Sequence, residues 1–257
     1  MNFPDANGFL DSDYRALVRM ANECNLRPEH WLAIASSESG LALHRADPTH
    51  KASGPFAQFV NPNGKPGARG ETQMMPTTLH NLGWLPGNED YDAAKGDYRE
   101  VPVEGQIRWS GLYFKDCMRW AHVKAWNSPG DLYLANFLPG KLLYKDNPSY
   151  VLAADPEDNY RFNKGFDDAK KGWIDVQDVR NHAARGGLTS AYKVAVQSLN
   201  AVRQGRLNEC LPARGPLEED GIPGPATQAA VDAFRVAAGL PPGGVDGVLD
   251  MGLFGTC

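Results

Sequence analysis

Between Pro28 and Gly40, the residues Trp31, Ile34, Ala35 and Glu38 recur at i, i+3, i+4 and i+7, so an ionisable carboxylate shares the apolar stripe of one short helix. Pro is favoured at the first helical position and Gly just past the last, which sets the limits of that helix at Pro28 and Gly40. The stripe must face a core, and Glu38 must go with it or turn away. In one placement Glu38 ends a frayed last turn and points to water. In the other it lies against apolar neighbours, which disfavours the charged form, raises the pKa and makes a proton donor near neutral pH.

Other segments carry helical signals. Asp11 or Ser12 caps a first helix with Tyr14, Leu17, Val18 and Ala21 on one face. Pro76 opens a short helix through Leu82, and a long one is expected from Glu104 to Trp126, with Ile107, Gly111, Phe114 and Met118 in a stripe. From His44 to Gly70 the chain is rich in Gly, Pro, Asn and Ser, a loop long enough to serve as a flap over a cleft. The Gly186-Gly187 pair marks a boundary, giving domains 1–187 and 188–257. After it comes a helix-like run from Ser190 to Gln204. Asp220-Gly221-Ile222-Pro223-Gly224-Pro225-Ala226-Thr227 then forms a turn and a helix, with Val231, Phe234 and Ala238 sharing a face, and Asp246-Gly247-Val248 echoes the turn. The expected fold class is mainly α.

A chain of 257 residues with 42% hydrophobic and 22% charged residues buries a sizeable core. The net charge of −5 and the lack of a long Lys/Arg run argue against nucleic acid as the partner. No stretch approaches the ~20 apolar residues of a membrane span, and Met1-Asn2-Phe3-Pro4-Asp5 does not read as an export signal. The four cysteines lack the paired spacing of a zinc site. They fall as Cys24 and Cys117 in the first region and Cys210 and Cys257 in the second, which leaves open buried free thiols or one disulfide within each.

Ser37-Glu38-Ser39-Gly40 followed by Gly70-Glu71-Thr72-Gln73-Met74-Met75-Pro76-Thr77-Thr78 resembles the paired motifs of lytic transglycosylases, which are similar to goose-type lysozyme. In that family a Glu-Ser pair ends a core helix, and Gly-Leu-Met-Gln-x-Met-Pro-x-Thr follows across a loop. The resemblance implies a lysozyme-like catalytic domain with Glu38 as acid/base, Gln73 lining the cleft near the cleaved sugar, and Ser39 holding the glycan or the Glu. Glu71 and Thr72 depart from the family's apolar pair, and the interval after Glu38 is long; Glu71 is either a solvated charge or a second carboxylate. A third family motif, Ala-Tyr-Asn-Ala-Gly, is echoed by Leu132-Tyr133-Leu134-Ala135-Asn136-Phe137-Leu138-Pro139-Gly140. There Tyr133 or Phe137 takes the aromatic role and Asn136 the amide role, unless both aromatics are simply core.

The tail resembles the three-helix peptidoglycan-binding domain, whose hallmark Asp-Gly-x-x-Gly-x-x-Thr-x-x-Ala-Val-x-x-Phe is matched by Asp220, Gly221, Gly224, Thr227, Ala230, Val231 and Phe234. These residues build turns and core whether or not the surface binds wall. The segment Asp167 to Asp178 resembles a calcium loop, but Ala169 and Lys171 occupy ligand positions and Lys171 adds a positive charge, so no calcium is expected.

Together the resemblances imply a monomeric enzyme without cofactor or metal that cuts the β-1,4 bond between MurNAc and GlcNAc in bacterial peptidoglycan. Transglycosylation would leave 1,6-anhydro-MurNAc ends. The alternatives are lysozyme-type hydrolysis, a non-catalytic wall-binding or virion protein, and a chitin-cleaving enzyme. Action on a wall without an export signal implies release through phage lysis, a virion or a secretion apparatus, or removal of a signal.

Overall fold

The computed structural model describes residues 5–41, 58–60, 66–70, 72–83 and 101–255. The protein is mainly helical, and among the described residues no helix is long and apolar enough to cross a membrane. The helices are α1 (Asp11–Glu23), α2 (Pro28–Glu38), α3 (Pro76–Asn81), α4 (Val103–Ala121), α5 (Pro129–Phe137), α6 (Asp158–Asn163), α7 (Val176–Gly186), α8 (Ser190–Cys210), α9 (Pro225–Ala237) and α10 (Gly247–Gly255). Two antiparallel strand pairs accompany them, β1 (Gln58–Val60) with β2 (Pro66–Arg69) and β3 (Val151–Ala154) with β4 (Trp173–Asp175). The first pair lies in the stretch expected to be a plain loop; the rest of 42–65 is outside the described residues.

Local chemistry sets the helix starts. The cap residue of α1 is Leu10 rather than Asp11 or Ser12, which lie inside the helix, and its N–H donates back to Asp13 Oδ2 at 2.9 Å. Ser128 Oγ accepts the Asp131 N–H at the start of α5, and Thr189 Oγ1 accepts the Tyr192 N–H at the start of α8. Asp175 and Asp178 accept each other's backbone N–H at 3.0 and 2.9 Å, a reciprocal cap on α7. The helix expected to reach Trp126 stops at Ala121, where His122 turns left-handed with φ 54°.

Helix α2 runs through the main core and packs against α5, α7 and α8. Trp31, Leu32, Ile34 and Ala35 are fully buried, and each large apolar side chain so buried contributes about 1.5–3 kcal/mol. The α2/α7 contact is close: a Cβ on Gly186 would come within 2.1 Å of the Ala33 carbonyl oxygen. Helix α7 can therefore approach α2 only with Gly at that position.

A second core is formed by Leu207, Ala230, Val231, Phe234, Leu249 and Leu253. Helix α8 joins the two, placing Ala195, Leu199 and Val202 in the first and Leu207 in the second. Arg203 is buried at the junction. It donates to both Asp250 oxygens at 2.8 and 2.5 Å and to Glu29 on α2 at 2.9 Å. The Asp220–Thr227 segment wraps Gln204, whose Nε2 reaches Asp220 Oδ1 and Thr227 Oγ1 and whose Oε1 accepts the Gly221 N–H. Gly221 has φ 72°, and a Cβ there would meet the Gln197 carbonyl oxygen at 2.0 Å. On α9, Val231 and Phe234 face inward as expected, whereas Ala238 lies just past the helix end and is exposed.

Cys24 and Cys117 are unbonded and buried, with their thiols pushed up to about 12 and about 11 by that burial. Of the two alternatives left open for this pair, buried free thiols are the one the structure shows. Cys210 is disulfide-bonded, and Cys257 lies outside the described residues. In the segment resembling a calcium loop, the Lys171 ammonium lies 2.7 Å from Asp175 Oδ2 and 2.8 Å from Asp178 Oδ2. Asp167 accepts the backbone N–H groups of Lys171 and Gly172 and the Tyr160 hydroxyl.

Candidate active site

Glu38 is the last residue of α2, and its side chain is half-buried. The apolar stripe delivers it to the inner side of the helix end, where the carbonyl end of the helix dipole also disfavours negative charge. Its pKa is raised, first by desolvation. Hydrogen bonds from the Tyr133 hydroxyl and the Asn136 amide oppose that rise in part. Asn136 Nδ2 lies 3.3 Å from Glu38 Oε1. Residues 133 and 136 are i and i+3 on α5, so one helical face presents both donors to one carboxylate.

Of the two aromatics in that motif, Tyr133 takes the position against Glu38. Its ring is almost fully buried, edge-on to Phe166 at 5.7 Å and to His182 at 5.2 Å. Phe137, one turn further, stacks on Phe166 at 4.7 Å and is only partly buried. It belongs to an aromatic layer beside Tyr133.

Ser39 is fully buried. Its hydroxyl donates to the Ala35 carbonyl at 2.8 Å, and the Leu41 N–H points to it at 3.4 Å. These contacts tie down the helix end that carries Glu38, a supporting position rather than an exposed one. Gly40 and Leu41 follow with φ 73° and 53°, turning the chain away.

Gln73 has φ 50°, and its Nε2 donates to the Gly70 carbonyl at 2.9 Å across a tight turn. Thr72, which stands where the resembled motif has an apolar residue, is buried and pairs with Ser110 on α4 at 3.1 Å. A polar departure in one element is thus matched by a polar partner in another. Met74 and Leu79 form a small core covered by Tyr113, whose hydroxyl donates to the Ala135 carbonyl on α5 at 2.5 Å. Tyr113 thereby links the Gln73 turn to the helix bearing Tyr133 and Asn136. Glu71 lies outside the described residues.

The sequence reading missed Tyr113, Phe166 and His182. Their positions follow from helix packing, although His182 does stand at i+3 from the buried Val179. The groove between α1 and α4, lined by Met20, Glu23, Ile107 and Lys115, contains none of the candidate residues. The arrangement supplies one carboxyl of raised pKa beside two hydrogen-bond donors, a combination suited to giving up a proton and stabilising the carboxylate that remains. Among the described residues no group of three or more His, Cys, Asp or Glu side chains is placed to hold a metal ion. Compared with protein-family models, curated proteins and solved structures, the chain gives no match.

Proposed function

We propose that the protein cleaves the β-1,4 bond between MurNAc and GlcNAc in bacterial peptidoglycan by lytic transglycosylation on a lysozyme-like catalytic domain. The observation that carries this reading is the desolvated Glu38 carboxyl held by Tyr133 and Asn136 at the end of a core helix. The protonated carboxyl gives its proton to the oxygen leaving MurNAc C1, and an oxocarbenium-like centre develops. The two donors stabilise the carboxylate that results. That carboxylate then takes the proton of the MurNAc C6 hydroxyl as its oxygen bonds to C1, which closes a 1,6-anhydro ring and restores the acid. Ser39 supports the helix end, and Gln73 lines the glycan cleft. The C-terminal unit, resembling a wall-binding module, keeps the enzyme near its insoluble polymer, where weak affinity suffices. The site of action is the bacterial cell wall.

A zymogram on purified peptidoglycan with mass spectrometry of the products tests the reading. Clearing by the parent and loss of nearly all clearing by Glu38→Gln is expected, with products lighter by one water than reducing-end fragments. Reducing ends would replace transglycosylation with hydrolysis. An inactive parent that still sediments with sacculi would make the protein a non-catalytic wall binder.

A further inference from the structure

We propose that His182 is a positioning residue for Glu38, acting through the ring of Tyr133. The role rests on the reading of Glu38 as the acid. His182 stacks on Phe166 at 4.3 Å and meets Tyr133 edge-on at 5.2 Å, while Phe166 meets Tyr133 edge-on at 5.7 Å. Tyr133 is therefore walled by two rings from two other segments. Fixing the two torsions of a tyrosine fixes the direction of its hydroxyl, and here that direction decides whether Glu38 receives a second donor beside Asn136.

The His182 ring is itself held in one state. Arg185 NH2 lies 3.2 Å from His182 Nδ1, and a guanidinium can only donate, so Nδ1 accepts and the ring is neutral with its proton on Nε2. Arg185 also pairs with Asp168, on the segment just after Phe166. The charged groups near the ring are thus Arg185 on its own helix and Asp168 across from it. Burial, and then Arg185, hold His182 below the usual imidazole range, while Asp168 acts in the opposite sense. A neutral, flat and anchored ring is what the Tyr133 wall requires. Gly186, one turn beyond His182, brings this stretch of α7 close to α2, so the wall and Glu38 are set by the same helix contact.

Carboxyl-carbon NMR titration of Glu38 in the full chain tests the proposal without substrate, so its outcome does not depend on whether peptidoglycan is cleaved. His182→Ala frees the Tyr133 ring and weakens its hydrogen bond, so Glu38 should titrate at higher pH than in the parent. His182→Phe restores a flat ring and should return the titration to the parent position. Tyr133→Phe should move Glu38 upward too, and adding His182→Ala to it should move it no further. If His182→Ala does not fold, Phe166→Leu removes the other wall and is expected to act in the same direction. In the active enzyme, His182→Ala should lower kcat about tenfold with KM unchanged. A Glu38 titration that stays at the parent position in His182→Ala, or in Phe166→Leu if only that variant folds, overturns the proposal. So does one that moves as far in His182→Phe as in His182→Ala.

Discussion

Asn136 Nδ2 lies 3.3 Å from Glu38 Oε1, joining side chains 98 residues apart at the meeting of α2 and α5. The amide and the Tyr133 hydroxyl favour the ionised carboxylate, yet desolvation outweighs them and Glu38 remains harder to ionise than an exposed glutamate. The folded state therefore binds this proton more tightly than the unfolded chain does.

A stability effect of known sign follows from that difference. With the folded pKa raised, the contribution is most favourable below the unfolded value and is lost as pH rises through the folded one. Glu38→Gln cannot ionise and escapes this loss. At neutral pH it should melt a few degrees above the parent, with the gap closing toward about pH 4. Thermal melts across that range check this, and a gap that widens toward acid would contradict it.

Helix α2 and its carboxylate are legible in the sequence because Trp31, Ile34, Ala35 and Glu38 fall within one element whose period is fixed. Tyr133 and Asn136 are candidates in the sequence only through the motif that Leu132 to Gly140 echoes, which leaves Tyr133 and Phe137 as alternatives; which ring stands against Glu38 depends on how α5 packs on α2. The end of α4 is not legible, because Val123 and Trp126 are buried at a helix-like spacing although the helix has ended and the Trp126 N–H bonds to Asn25 O. Burial alone produces the helical pattern there. Helix α8 was expected to stop at Gln204 but continues to Cys210, since Leu207 belongs to a second core whose partners lie later in the chain. Phe166 and His182 escape notice because their meeting with Tyr133 depends on how α5, α7 and the turn at 164–166 pack, a relation that no local spacing encodes.

Gly186→Ala tests how firmly the α2/α7 contact is fixed. The added methyl would sit against the Ala33 carbonyl oxygen and near Ser37 Cβ, and backbone cannot give way as a flexible side chain would. Overpacking of this kind costs about 1–3 kcal/mol. Urea unfolding should show a lower midpoint with unchanged slope, and catalytic activity should fall even where the variant remains folded. Full stability in this variant would show that the two helices can separate freely.

Lys171→Met removes the cation shared by Asp175 and Asp178 while keeping most of the side chain's bulk. Burial alone would raise the Asp175 carboxyl, but Lys171 and the Asp178 N–H hold it below its usual range, a contribution present above the unfolded pKa and lost as pH falls through the folded one. Without Lys171 that loss should begin at higher pH. The variant should be about 1–3 kcal/mol less stable at neutral pH. Denaturation series at neutral and acidic pH measure both effects.

Arg203→Ala should be the most damaging of these substitutions, because it strands charge at the junction of the two cores. Asp250 is fully buried and Glu29 nearly so, and Arg203 supplies hydrogen bonds to both. Breaking a buried ion pair from one side costs about 3–5 kcal/mol, chiefly because the remaining carboxylate stays out of water without a partner. Replacing Arg203 and Asp250 together by Met and Leu removes the stranded charge at that pair, so the double variant should recover part of the loss. Chemical denaturation followed by tryptophan fluorescence gives both values, and hydrogen exchange should show faster opening of α10 in the single variant. Equal losses in the single and double variants would mean that packing around Arg203, rather than its charge, holds α10 against the rest of the molecule.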